Sequence, residues 1–548
     1  MAALLFAGIA SFVYQPALQG PLLSDDLLHF LNAPWMEELS TESVLVILDP
    51  KGQPVQATAN WAPVHLLAHV LEHELFGSYA ENTYPYHFVN VAVHGLNATL
   101  FAALLMAHGV PLTAALLAAL LFLLHPANVE AVAWIFQLKT LLSFTFTFAA
   151  LLWLPRRPLA SILCFALAIL AKPSAAAALA AAIVFEWTRQ PGPGDPPRRT
   201  RWLVAWAGLL AGYALIELGA FRGTGEYQTA APLSERSLQV VAIVGRYLVM
   251  GVSSFGASAF HQPTPPSSLL DPWLLLGGAT LLGLGAICVM ALLRRRVAAG
   301  WLGLAVASYL PVAQIFPFPY PMADRYLYFV LAGLFGALVV SFAPQLRAAQ
   351  GRLRERGPGA VLAATPGPAL GLALGAALAL ALSLGFAARA HIRAGVWSSP
   401  EALETDSATN YPDGVTGQIV LARRAIASGD LEKAADAIEA AKRLGHDNAL
   451  AYMSDPTLQG LRGHPRYEAL LQAMARRWVE QWEQLPNKAP GFGVVDLVIY
   501  HLVLGEPERA KARLAEAEAA GPAAISPDVA QQMRANIAQV EASLGAAE

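Results

Sequence analysis

The sequence predicts an all-α, polytopic membrane protein of about eleven transmembrane helices followed by a soluble, helical repeat domain. Three observations carry that expectation. Of 548 residues, 56% are hydrophobic and only 14% charged, against about 45–50% apolar and about 25% charged in average soluble chains. From Tyr86 to Leu154 the only formal charges are Glu130 and Lys139, which leaves room for about three spans of about 20 residues each. Beyond about residue 389 the apolar runs stop and a polar, helix-prone composition takes over. These features exclude disulfide-rich, collagen-like and disordered classes. A net charge of −3, from 36 basic and 39 acidic residues, shows no sign of a nucleic-acid binder. The two cysteines, Cys164 and Cys288, both fall in apolar runs and read as small buried hydrophobes.

The apolar runs fall at 2–20, 86–106, 111–125, 136–154, 158–171, 173–188, 202–221, 272–293, 299–317, 323–343 and 367–388. The first lacks a basic lead and a small-residue cleavage site, so it reads as a retained span rather than a removed signal peptide. Basic residues collect on the cytoplasmic side of short connections. Clusters at Arg156–Arg157, at Arg198, Arg199 and Arg201, at Arg294–Arg296, and at Arg347, Arg352, Arg354 and Arg356 therefore set the inner face. The segment from Leu23 to Pro85, with nine acidic residues and only Lys51 basic, then lies outside. Parity decides a twelfth run, 238–260. It begins and ends on the outer side, so it reads as a re-entrant or interfacial helix, a form tolerated where protein or a cavity surrounds it. The expected topology has an inside N-terminus and an outside C-terminus, with a membrane domain at 1–388, its first outer loop at 21–85, and an extracytoplasmic domain at 389–548.

Ionisable residues beside spans are costly and mark function. Asp25, Asp26, His125, Glu130, Lys139, Lys172 and Arg325 all fall on the outer side of this topology, which points to one polar site there. A carboxylate at that level can take a proton from an incoming hydroxyl, while Lys and Arg can hold phosphate and stabilise a leaving group. Arg246 and Asp324 are supporting candidates. His65, His69 and His73 form an i, i+4, i+8 series able to align on one helix face and bind a transition metal. The favoured expectation is instead an amphipathic interfacial helix with its polar residues toward water. No zinc or EF-hand spacing occurs, so no metal site is assigned.

In the C-terminal region GDLEKAADAIEAA begins at Gly429 and GHPRYEALLQAMA at Gly463, a spacing of 34 residues. GEPERAKARLAEAEAAG follows from Gly505. A 34-residue period, with Gly opening a second helix and Ala four to five positions on, is the tetratricopeptide signature. Stacked helix pairs of that kind bury what one pair cannot.

Six blocks carry a family resemblance over essentially the whole chain. They are GPLLSDDLLHFLN, YPYHFVNVAVHGLNATLFAALL, LLFLLHPANVEAVAWIFQLKTLLSF, LAILAKPSAAAALAAAIVFEW, PMADRYLYFVLAGLF and the repeats after Trp397. In these blocks the chain resembles the transmembrane and tetratricopeptide repeat-containing glycosyltransferases (TMTC-like), a group of the GT-C superfamily with bacterial members. The resemblance implies eleven spans and a repeat domain on the periplasmic or luminal side. It places the catalytic base in the acidic pair Asp25 and Asp26, with a slight preference for Asp26, and gives Glu130 an orienting or acceptor-binding role. Lys172 and Arg325, with Lys139, match the positions implied for binding the donor phosphate, and His125, Arg246 and Asp324 are supporting. Where relatives read Glu-Arg-Lys-Asp, this chain has Gln137, Leu138, Lys139 and Thr140, a departure that bears on turnover and donor identity.

Two functions follow. The first is an integral-membrane glycosyltransferase moving a sugar, with mannose the first candidate, from a polyprenyl-phosphate donor to an extracytoplasmic acceptor such as a protein Ser or Thr hydroxyl. Its partners are membrane lipid, the lipid-linked donor and a protein held by the repeats. No nucleic acid is expected, and the implied location is a bacterial inner membrane. The second is a non-catalytic GT-C-like scaffold whose repeats dock other proteins. A transporter fits poorly, because the charges gather at one face rather than at the midplane.

Overall fold

A computed structural model describes residues 1–30, 33–58, 60–189, 199–223, 233–253, 255–315, 320–351, 366–484, 493–521 and 525–545. Among the described residues every element is helical. The chain forms two compact units, Met1–Asp406 and Ser407–Glu548. The last apolar helix, Pro366–Val396, runs unbroken for 31 residues. The first unit therefore extends past the composition change at 389, and its boundary at Asp406 falls within the helix Pro400–Asn410.

Among the described residues, six helices of the first unit are long and apolar enough to cross a membrane: Tyr84–Ala107, Ile135–Trp153, Thr200–Ala220, Pro272–Leu293, Asp324–Ser341 and Ala377–Val396. A seventh is a bent pair, Leu112–Leu124 with Pro126–Ala133, turned by 57°. The bend falls at Pro126, where a missing N–H and a ring clash interrupt the helical ladder. Shorter apolar helices lie at Ala2–Val13, Pro158–Ala171, Pro173–Thr188 and Ala298–Val312. The run 238–260 supplies the helix Leu233–Ser253, which is not among the six. Residues Arg198, Arg352, Arg354 and Arg356 lie outside the described residues.

Composition explains which faces pack and which remain outside. Pro272–Leu293 starts at an N-cap, Asp271, whose carboxylate accepts from the amides of Trp273 at 2.9 Å and Leu274 at 3.2 Å. It leaves Leu282 and Leu293 78% and 79% exposed. A helix so apolar on its outer surface is suited to a hydrocarbon neighbour. It meets Leu233–Ser253 where Gly277 faces Gly245: a Cβ on Gly277 would sit 1.9 Å from the Val241 carbonyl oxygen. Small residues of this kind let helices approach closely where no hydrophobic effect drives them together.

The interior is aromatic, with Phe101, Phe122, Phe144, Phe148, Tyr328 and Trp301 all fully buried. Its polar groups are tied off. His94 Nε2 donates to the Leu123 carbonyl at 2.9 Å while Nδ1 accepts from the Tyr328 hydroxyl at 2.7 Å. Asn97 donates to the Leu141 carbonyl at 3.0 Å and accepts from Thr145 at 2.6 Å. Each bond replaces water that a membrane interior withholds.

The second unit is built of helix pairs. Val415–Ala427 packs on Leu431–Arg443, and Val494–Val503 on Pro507–Ala519. Gly429, Gly463 and Gly505 take φ of +79°, +78° and +71°, the left-handed region where glycine avoids a side-chain clash. Ala434, Ala437 and Ala441 are buried at the first pair's contact. Between the pairs stand two short elements, Ala449–Ser454 and Pro456–Leu461, before the 20-residue helix Pro465–Gln484.

Candidate functional site

The site begins with two interrupted helices. Glu130 lies on the short helix Val129–Ala133 and Arg325 on the turn Asp324–Tyr326. The Arg325 guanidinium pairs with Glu130 Oε1, and the Arg325 amide donates to Oε2 at 2.7 Å. One carboxylate thus holds both the side chain and the backbone of a residue 195 positions away. The Arg325 guanidinium also lies 5.3 Å from the Trp134 ring and 5.2 Å from that of Tyr320, contacts that favour a cation over an aromatic face.

The acidic pair stands close by. Ser24, with φ +53°, turns the chain into the helix Asp25–Phe30. Asp26 is 1% exposed. One of its oxygens accepts from the Leu23 amide at 3.0 Å, and the other from the Phe136 amide at 3.0 Å. Those bonds fix the acidic turn to the segment that carries Lys139, whose Nζ lies 4.1 Å from the centre of the Phe136 ring. The side chain of Asp25 lies outside the described residues. The 132–135 backbone is secured by Asn90, which donates to the carbonyls of Val132, Trp134 and Ile135 at 3.2, 3.0 and 3.3 Å.

Lys172 ends the helix Pro158–Ala171 in extended backbone. Its ammonium donates to Thr140 Oγ1 at 2.7 Å, and Thr140 donates to Gln137 Oε1 at 2.8 Å. The two polar uncharged residues of the Gln-Leu-Lys-Thr segment, Gln137 and Thr140, thus form a relay that positions Lys172. Lys172 lies within electrostatic range of Lys139, Arg325 and Glu130. The fold therefore gathers Glu130, Arg325, Lys139 and Lys172, with Asp26 bonded into the same segment.

Other candidates stand apart from this group. His125 is fully buried; Nε2 meets the Gly251 carbonyl at 3.0 Å and Nδ1 accepts from the Ala127 amide at 3.2 Å, which caps the turn Pro126–Asn128. Arg246 lies over the Trp273 ring at 4.6 Å. Asp324 is 1% exposed and meets His261 Nε2 at 2.6 Å, with Arg393 3.6 Å from its second oxygen. Arg393 also pairs with Asp406. The histidine series departs from the expected water-facing arrangement, since His65 and His69 are fully buried. Their rings pack on Phe136, His65 Nδ1 meets the Ala62 carbonyl at 2.7 Å, and His69 Nδ1 meets Glu72 at 2.7 Å. An imidazole has two apolar faces, so partnered histidines can pack like aromatic core residues. Among the described residues no group of three or more His, Cys, Asp or Glu could hold a metal ion.

A small pocket opens beside the ion pair, lined by Ser24, Glu130, Trp134, His261, Arg325 and Trp397 among others. Its free volume is about 10 Å³, on the order of one water. His261, Trp134 and Trp397 were missed by sequence reasoning. Trp134 stands inside the quoted HPANVEAVAW block, four residues after Glu130 and so one helical turn away, which was the available signal. For His261 no such signal exists, because its partner Asp324 is 63 residues away.

Comparison of the chain with family models, with curated proteins and with solved structures finds no match in any of the three.

Proposed function

We propose that this protein is an integral-membrane glycosyltransferase of GT-C type. It crosses the membrane eleven times and transfers a sugar from a polyprenyl-phosphate donor to an extracytoplasmic hydroxyl, such as a protein Ser or Thr. The observation that carries this reading is the convergence of Glu130, Arg325, Lys139 and Lys172 with the acidic turn at Asp26, from four separate stretches of chain. Lys139 and Lys172 supply the positive field that a departing lipid phosphate needs. Glu130 and the Asp25–Asp26 pair supply acceptors for the proton of an incoming hydroxyl. The short apolar helices Ala2–Val13, Pro158–Ala171, Pro173–Thr188 and Ala298–Val312 complete the count of crossings beside the longer spans. The helix pairs of the second unit, each turning at a left-handed glycine, act as tetratricopeptide-like repeats that hold the acceptor on the outer side. Mannose is the first sugar to try.

A second reading, a non-catalytic scaffold, is favoured by one feature. Asp26 is sealed from solvent and gives an oxygen to each of two backbone amides, which is how a purely structural carboxylate is used. The two readings separate in cells carrying Asp25→Asn, Asp26→Asn and the double substitution, scored for glycan on envelope proteins. Loss of glycan at normal protein level supports transfer. Unchanged glycan in all three variants leaves the scaffold.

A further inference from the structure

The C-terminal end of the helix Pro272–Leu293, expected at the inner face, is built against the preference of its own backbone. Arg294 caps it, the Arg295 amide donates to the Leu292 carbonyl at 2.9 Å, and the Arg296 amide donates to that of Ala291 at 2.9 Å. That pair of bonds is the Schellman closure, whose left-handed residue is usually glycine. Here it is Arg295, with φ +47°, a conformation in which a Cβ crowds the following carbonyl. Topology does not call for an arginine at this position, because Arg294 and Arg296 flank it and already supply the charge that orients the chain. What Arg295 adds is a placed cation. Its guanidinium lies 5.3 Å from the ring of Trp187, on the helix Ala177–Thr188. The carboxylate beside that ring is taken, since Glu186 pairs with Arg189 at 2.9 Å and with Arg199 at 3.0 Å. Among the described residues no carboxylate pairs with Arg294, Arg295 or Arg296, and all three are exposed. Just before them Val289 and Leu293, four residues apart and so on one helix face, are 54% and 79% exposed.

We propose that Arg295 on Trp187, with Arg294 and Arg296, is a site for the phosphate of an anionic phospholipid in the leaflet around this end of the helix. The inference rests on the helix lying in a membrane and not on the transfer reading. The rim itself selects the ligand. A guanidinium presents a fork of N–H donors that fits two phosphate oxygens. Trp187 holds that fork at the level where indoles collect, the boundary between headgroups and acyl chains. Val289 and Leu293 then meet the acyl chains of the molecule whose phosphate is bound. A soluble phosphate would satisfy the arginines and leave that apolar surface uncovered.

The test uses the full-length protein in detergent, titrated separately with phosphatidylglycerol, phosphatidylcholine and inorganic phosphate, with bound lipid counted by native mass spectrometry. Phosphatidylglycerol is expected to bind more tightly than phosphatidylcholine, and about five-fold more weakly in Arg295→Gly, the effect of one basic residue at a lipid surface. Glycine suits the left-handed position, so the thermal midpoint of that variant without lipid should equal or exceed the original, which separates lost binding from misfolding. Brominated phosphatidylglycerol should also quench Trp187, read as the difference between the unaltered protein and Trp187→Phe. Undiminished phosphatidylglycerol affinity in Arg295→Gly, no quenching assignable to Trp187, or displacement of the lipid by an equal concentration of inorganic phosphate would overturn the proposal. So would a lowered midpoint of Arg295→Gly without lipid, which would show that the arginine serves the fold. None of these readouts involves sugar transfer, so failure of the glycosyltransferase reading leaves the lipid site standing.

Discussion

At the scale of single residues, the account turns on what Glu130 holds. Its carboxylate is 2% exposed and takes both the guanidinium and the amide of Arg325. Removing one partner leaves the other charge buried and unpaired, which costs about 3–5 kcal/mol. Glu130→Gln should therefore lower the thermal midpoint of the purified protein markedly as well as abolish transfer; a midpoint within a degree of the original would show that the pair is not structural. Thr140 gives a contrasting case. Thr140→Val removes the acceptor for the Lys172 ammonium but leaves the fold's apolar packing in place. The expected outcome is raised KM for the lipid-phosphate donor with little change in stability, checked by steady-state kinetics beside thermal unfolding. Glu130 and Lys172 were legible as lone charges in apolar sequence, and Arg325 as one of the adjacent charges Asp324 and Arg325. That they share one outer site was expected from the topology; that Glu130 binds Arg325 was not, because contacts across 195 residues leave no trace in local spacing. Nor could burial of His65 and His69 be read, since histidine serves water and core equally well.

Among the elements, close approach of backbones sets the limits. Gly277 lies so near the Val241 carbonyl that any side chain must push the helices Leu233–Ser253 and Pro272–Leu293 apart. Gly277→Val should destabilise the first unit while Gly283→Val, at a position with open space, should not; equal thermal midpoints for the two would refute the packing argument. In the second unit the turn Pro456–Leu461 is capped by Asp455, which accepts from the Thr457 amide at 2.8 Å and from Arg423 at 2.6 Å. Burial pushes this carboxyl up, but the bonds from Thr457 and Arg423 outweigh it and hold it below its ordinary value. A depressed carboxyl stabilises the folded state above its unfolded pKa, about 3.9, and that stability is lost as pH falls through the folded value. The protection of the 449–461 amides against hydrogen exchange, relative to their intrinsic rates, should therefore fall below about pH 4, and Asp455→Asn should flatten that dependence. Helix existence was readable from the apolar runs, and the helix-opening glycines Gly429 and Gly463 from their 34-residue spacing. Helix length was not, because a run that faces lipid and a run buried in protein have the same composition. Hence the runs 2–20 and 299–317 hold the shorter helices Ala2–Val13 and Ala298–Val312, whereas 158–171 forms a helix at its expected bounds.

For the whole molecule, composition averages concealed the division into an apolar unit and a polar one. The boundary at Asp406 lies beyond the composition change, and polar contacts such as the Arg393–Asp406 pair tie the residues after 389 to the first unit. Topology is a property of this scale. Reporter fusions along the chain should place the N-terminus inside and the second unit outside, with both flanks of 233–253 on the outer side. A fusion showing that segment to cross would break the parity on which the outer site depends. The central claim, that the converging charges form one transfer site, is tested most directly with purified full-length protein in nanodiscs. It would be supplied with polyprenyl-phosphate hexoses and Ser/Thr peptides, and transferred sugar measured for the unaltered chain, Asp26→Asn and Lys172→Ala. The account predicts transfer by the unaltered chain, loss of turnover of about 100-fold or more in Asp26→Asn, as for removal of a general base, and weakened donor binding in Lys172→Ala. Equal transfer by all three proteins, or none by the unaltered chain with any hexose donor, would contradict it.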